Sequence, residues 1–155
     1  MRQYFFATLL LFALPGWSAE KKIQMKDLPL AVRQAVQTQS AGATVKGFAK
    51  ETENGTTTYE AELVVNGHGK DVSFDAAGKV ISVEEEVALE SIPSAAKAAI
   101  DQATAGGKIK KVEQVTEGGA TSYEASYIKA GKKLEAAVKP DGSPVKPDVS
   151  PVKGK

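Results

Sequence analysis

The chain predicts an α+β protein of two tandem repeats, each a helix packed on an antiparallel three- to four-stranded sheet. Two observations carry that prediction: the sequence matches itself at a constant offset of 64 residues, and inside each copy the apolar period changes from helical to strand-like. Leu28 to Ile81 align with Ile92 to Val145 without a gap, and 15 of these 54 pairs are identical. The densest block sets Thr52-Glu53-Asn54-Gly55-Thr56-Thr57-Thr58-Tyr59-Glu60-Ala61 against Thr116-Glu117-Gly118-Gly119-Ala120-Thr121-Ser122-Tyr123-Glu124-Ala125. Two copies are too few for a solenoid, so the units are expected to share or abut one sheet. The repeats are bounded at residues 26–87 and 90–145.

Each copy opens with a helix. Leu28, Val32, Ala35 and Val36 in the first, and Ile92, Ala96, Ala99 and Ile100 in the second, fall on one helical face. Pro29 and Pro93 suit a first turn, where a missing N–H costs nothing, and Asp27 and Ser91 stand ahead of them as candidate caps. Gly42 and Gly106 end the helices. The period then becomes two: Tyr59, Ala61, Leu63 and Val65 alternate with Glu60, Glu62 and Val64, and Tyr123, Ala125 and Tyr127 repeat the pattern. Asn54-Gly55 and Gly118-Gly119 ahead of these strands suit two-residue hairpin turns, and Asn66-Gly67 and Ala130-Gly131 mark the next reversals. Val72 and Phe74, matched by Leu134, Ala136 and Val138, make a third strand, and Ile81, Val83 and Val87 a fourth. The second copy is expected to lack most of its fourth strand, because Pro144, Pro147 and Pro151 cannot donate ladder hydrogen bonds.

The ends read differently. Arg2, an apolar run from Tyr4 to Leu14, and Pro15-Gly16-Trp17-Ser18-Ala19 have the layout of a secretory signal peptide over residues 1–19, processed near Ser18 or Ala19. The run is too short for a membrane span, which takes about 20 apolar residues. Residues 146–155 read as a mobile Pro/Lys tail. Without Arg2, 19 basic residues balance 19 acidic ones, which disfavours nucleic acid as a partner. Cysteine is absent, so stability rests on packing rather than disulfides.

A helix followed by Tyr-Glu-Ala strands, a Gly-Lys hairpin and the turn Asp75-Ala76-Ala77-Gly78-Lys79-Val80 resembles the PepSY and PepSY-like domains of exported bacterial proteins. In tandem it is also similar to the β-lactamase-inhibitor-protein fold. The resemblance spans roughly Lys26 to Val145 and departs in the second copy, where Lys139 and Pro144 stand for Asp75 and Val80. It implies a helix on an antiparallel sheet, a location in the periplasm or outside the cell and, in some members, inhibition of a secreted enzyme such as a peptidase. It implies no catalytic residue.

The residues themselves offer little chemistry, so no enzyme, cofactor or metal site is expected. His68 is the sole histidine, set in Asn66-Gly67-His68-Gly69, a hairpin tip. Gly67-His68-Gly69-Lys70 lacks the spacing of a phosphate loop. Alternation sends Glu84 and Glu86 to one face and Glu85 to the other, so the three cannot converge on a cation from one strand. Asp75 and Asp141 lack the ligand ladder of a calcium loop. What remains is the sheet face away from the helices, with Glu60, Glu62, Val64, Asp71 and Ser73 from the first copy and Glu124, Ser126, Ile128, Glu135 and Ala137 from the second. Glu60, Glu62, Val64, Glu124, Ser126 and Ile128 are the candidate partner-binding residues, the partner being a protein of the periplasm or exterior. The alternative is a stress-related periplasmic protein that binds metal cations weakly through surface carboxylates.

Overall fold

The structure, a computed structural model, describes residues 21–53 and 55–145. The signal-peptide and tail readings lie outside the described residues. Eight strands form one sheet in chain order, every neighbouring pair antiparallel. They are β1 (Lys21–Ile23), β2 (Thr44–Glu53), β3 (Thr56–Val65), β4 (His68–Phe74), β5 (Val80–Glu86), β6 (Lys108–Glu117), β7 (Ala120–Lys129) and β8 (Lys132–Val138). Helix α1 (Leu30–Gln39) lies between β1 and β2 in the chain, and α2 (Ser94–Ala103) between β5 and β6.

This corrects the expectation of two tandem helix-on-sheet repeats, because the halves do not own separate sheets. Strand β5 pairs with β4 from Lys70↔Glu85 to Phe74↔Val80 and with β6 from Ser82↔Glu117 to Glu86↔Glu113. Val87 extends the second ladder, its N–H donating to the Val112 carbonyl at 2.9 Å. Separate sheets would have left two more edges with unpaired N–H and C=O groups, and pairing β5 on both sides removes them. The same strand therefore ends the first half and opens the second, as β1 opens the first.

Helix starts also differ from expectation. Pro29 and Pro93 are the residues just before α1 and α2, and neither helix has a side-chain cap. The Asp27 carboxylate instead accepts the Gln24 N–H at 3.0 Å and closes a short 3-10 turn, Met25–Asp27. The Ser91 hydroxyl donates to the Ala88 carbonyl at 2.7 Å in the matching turn. Fixed φ before the helix thus takes the place of a polar cap. Hairpins follow the sequence reading more closely: Asn66 and Gly67 have φ of 52° and 88°, and Gly118 and Gly119 of 57° and 83°, as a two-residue turn with both central residues left-handed requires.

One face of the sheet carries both helices and the core. Leu28, Val32 and Val36 bury against Phe48, Ala61, Leu63, Val72 and Phe74. Ile92, Ala96 and Ile100 bury against Val112, Tyr123, Ala125 and Val138. These are two clusters, not one. On the strands that join them, Lys70 Nζ and Glu85 Oε1 pair at 2.9 Å on the same side of the sheet.

Candidate functional site on the open sheet face

Residues directly opposite one another in an antiparallel ladder share a face, so the register lays out the side without helices row by row. One row runs Gly47, Glu62, Asp71, Glu84, Val115, Ser122 across β2 to β7. The next holds Val64 and Gly69 on β3 and β4, then Glu86, Glu113, Glu124 and Ala137 on β5 to β8. The Gly69 N–H donates to Glu86 Oε2 at 3.0 Å, which ties the two parts of this row together. Carboxylates therefore dominate the middle of the face. One carboxylate oxygen each from Asp71, Glu84 and Glu113 lie within 4.8 Å of one another, on three adjacent strands.

Two lysines answer this charge: Lys111 meets Glu113 at 2.6 Å, and Lys22 meets Glu62 at 3.3 Å. The face is not fully wet either. Ala49 and Val115, which lie on it, are only 1% and 8% exposed although no helix covers them, so neighbouring long side chains shield them. The same shielding acts on the acids. Burial first, and then the negative charge of Glu113, Glu124 and Asp71, raises the Glu84 pKa to about 7, with Lys111 opposing. Burial also raises Glu124, helped by Glu135, Glu113 and Glu117.

The residues proposed from sequence fall on this face in two groups. Glu60, Glu62 and Val64 stand on β3, and Glu124, Ser126 and Ile128 on β7. Four strand spacings separate the groups, roughly 19 Å at about 4.8 Å per spacing. The structure thus gives them a common plane but no mutual contact, and the acidic centre between them was missed. Glu113 was missed because β6 was not read as a strand. The companions of Glu84 are not Glu85 and Glu86 of its own strand but Asp71 and Glu113 of the neighbouring strands. Alternation itself held, since Glu85 pairs with Lys70 on the helix side. His68 is exposed at the start of β4. Three carboxylates could hold a hard cation only with water completing the six to eight oxygens that calcium takes.

No family model matches the chain, and no curated protein does. Solved structures do resemble it. A DUF2874 family protein from Bacteroides ovatus superposes with a TM-score of 0.60 at 19% identity, covering 77% of this chain and 85% of that one. A protein from Bacteroides eggerthii described as periplasmic gives 0.63 at 19% identity, covering 77% and 86%. A BLIP-like protein from Bacteroides fragilis gives 0.57 at 20% identity, covering 77% and 84%. The chain therefore has the BLIP-like fold. Among the described residues no helix is long and apolar enough to cross a membrane.

Proposed function

We propose that the chain is an exported, non-enzymatic module of the periplasm or exterior that holds another protein on the open face of its sheet. The observation that supports this reading is the helix-free face on which carboxylates from β3 to β7 stand partly desolvated. Eight strands of about seven residues offer roughly 34 by 20 Å, close to the ~800 Å² per partner of a stable interface. The chemistry selects a basic partner surface: lysine or arginine would restore to Glu84, Glu113 and Glu124 the interactions that shielding from water removes. We also read the chain as PepSY-like, on its Tyr-Glu-Ala strands and Asp75-x-x-Gly78-Lys79 turn, which places a secreted peptidase among the partners to try.

Affinity capture from envelope extract tests this with three baits: the parent, His68→Ala, and the double variant Glu62→Lys with Glu124→Lys. His68→Ala should keep the partner, and the double variant should stay folded by circular dichroism yet lose it. Loss with His68→Ala and retention with the double variant would sink the reading. A second reading, a weak cation site, is favoured by the convergence of Asp71, Glu84 and Glu113. It requires calorimetric heat of calcium binding at one site, abolished by Glu84→Gln.

A further inference from the structure

The duplication sets one place in the fold beside its counterpart. On the helix side of the sheet Lys21, Lys50 and Tyr59 stand opposite one another across β1, β2 and β3, and the row ends on buried Phe74 of β4. One repeat later the same row is Glu85, Gln114 and Tyr123 across β5, β6 and β7, and it ends on buried Val138 of β8. The charge differs, and so do the neighbours. In the second half β4 lies outside β5, and Lys70 Nζ meets Glu85 Oε1 at 2.9 Å, so the charge at the head of the row is neutralised. In the first half β1 is the edge of the sheet among the described residues, and two lysines face each other across the ladder. Residues so placed have Cβ atoms about 5 Å apart, and like charges there repel. Among the described residues neither Lys21 nor Lys50 has a carboxylate at ion-pairing distance, whereas Lys22, Lys70, Lys97 and Lys111 each do.

Lys21, Lys50 and Tyr59 line a cleft of about 680 Å³ together with Lys22, Ile23, Asp27 and Thr52. Tyr59 is half-buried where its counterpart Tyr123 is buried, so part of it is open beside the two charges. The acid in this lining is Asp27, and its Oδ2 already accepts the Gln24 N–H at 3.0 Å. We propose that the cleft binds a phosphate ester with an apolar body, its oxyanion held by Lys21 and Lys50 and its body against Ile23 and Tyr59. The oxyanion relieves the repulsion between the two lysines and accepts a charge-assisted hydrogen bond from each, which is how lysine serves phosphate as a point charge. The volume calls for the body: it is of the size usual for small-molecule sites and far more than an oxyanion fills. Asp27 disfavours a second anionic group on the same ligand. The row lies on the helix side, so the cleft is independent of the partner surface proposed on the open face.

Titration of the intact chain with phenyl phosphate and with inorganic phosphate at constant ionic strength, followed by amide NMR, tests the proposal. Saturable shifts should centre on Lys21, Lys50 and Tyr59, and phenyl phosphate should bind the tighter of the two. Lys50→Gln carries the residue that the second half holds in this place, so it should fold. It and Lys21→Gln should each weaken phenyl phosphate roughly tenfold or more. Lys108→Gln, at a position on the open face, should leave the affinity unchanged. Without ligand Lys50→Gln should melt above the parent, and phenyl phosphate should narrow that gap. Shifts spread over lysines of both faces, or equal affinity in Lys50→Gln and the parent, overturn the site. Inorganic phosphate binding as tightly as phenyl phosphate overturns the apolar body and with it the proposal. Where the site stands, sedimentation with phosphatidylglycerol vesicles that Lys50→Gln abolishes assigns the ester to a lipid headgroup, and no sedimentation assigns it to a soluble ligand.

Discussion

At the scale of single residues, two glycine positions and one carboxylate make separate demands. Gly55 and Gly119 have φ of 79° and 83° with nothing within 4 Å of an added Cβ, so a substitution there meets backbone strain alone. Gly55→Val and Gly119→Val should each cost roughly 1 kcal/mol or more, read as a lower denaturation midpoint. Gly78 is held by both strain and space, and Gly78→Ala should cost more than Gly55→Ala because its Cβ would collide with a helix carbonyl. Glu84 carries the pH dependence. Its pKa is about 7 in the fold against 4.5 for the free group, so between these values the folded state holds the extra proton. Stability is therefore greatest below about pH 4.5 with respect to this group and falls as pH rises through about 7. Thermal melting of Glu84→Gln should show a flatter dependence over that window and a higher midpoint than the parent at pH 8. An unchanged slope would mean that Glu84 titrates as a solvated acid.

At the scale of elements, the sequence revealed what alternates cleanly and hid what does not. Tyr59 to Val65 alternate without interruption and β3 was plain. Strands β2 and β6 were not recognised, because an extra residue at Lys46 and, one repeat later, at Lys110 shifts the register and breaks the period of two. The pairing of β5 with β6 was hidden for a different reason: no local pattern encodes which strand a given edge will meet. That pairing also decides how the half-buried acids assemble, so the candidate site was legible as two flanks and not as a centre. Its energetic weight can be tested at Val83. The Val87 N–H points to β6, and by alternation so does that of Val83, opposite Thr116. Val83→Pro should remove a ladder bond and orphan a carbonyl, costing about 1–3 kcal/mol on that account alone, before the ring disturbs its neighbours. Equilibrium unfolding of Val83→Pro with a midpoint equal to the parent would show that the β5–β6 seam contributes nothing.

At the scale of the whole molecule, near-neutral net charge conceals an uneven distribution, with acids gathered on the open face. A partner held there by charge should be released as salt shortens the Debye length from about 10 Å at 0.1 M to about 3 Å at 1 M. The two hydrophobic clusters pose a further question, whether the halves unfold together. Each half is about 60 residues, a size at which a domain buries little of its chain and is marginally stable alone. Neither half is complete, since the second needs β5 to cover the edge of β6 and the first would expose β5 if the second melted. Shared pairing should therefore couple the two separate clusters. Ile100→Ala, a deletion in a fully buried side chain of the second cluster, should cost about 2–5 kcal/mol. Under coupling, it lowers one common transition, and protons near Phe74 in the first cluster report the same midpoint as protons near Val138 in the second. Two midpoints, with Phe74 unmoved by Ile100→Ala, would show that β5 joins the halves in space without joining them in stability.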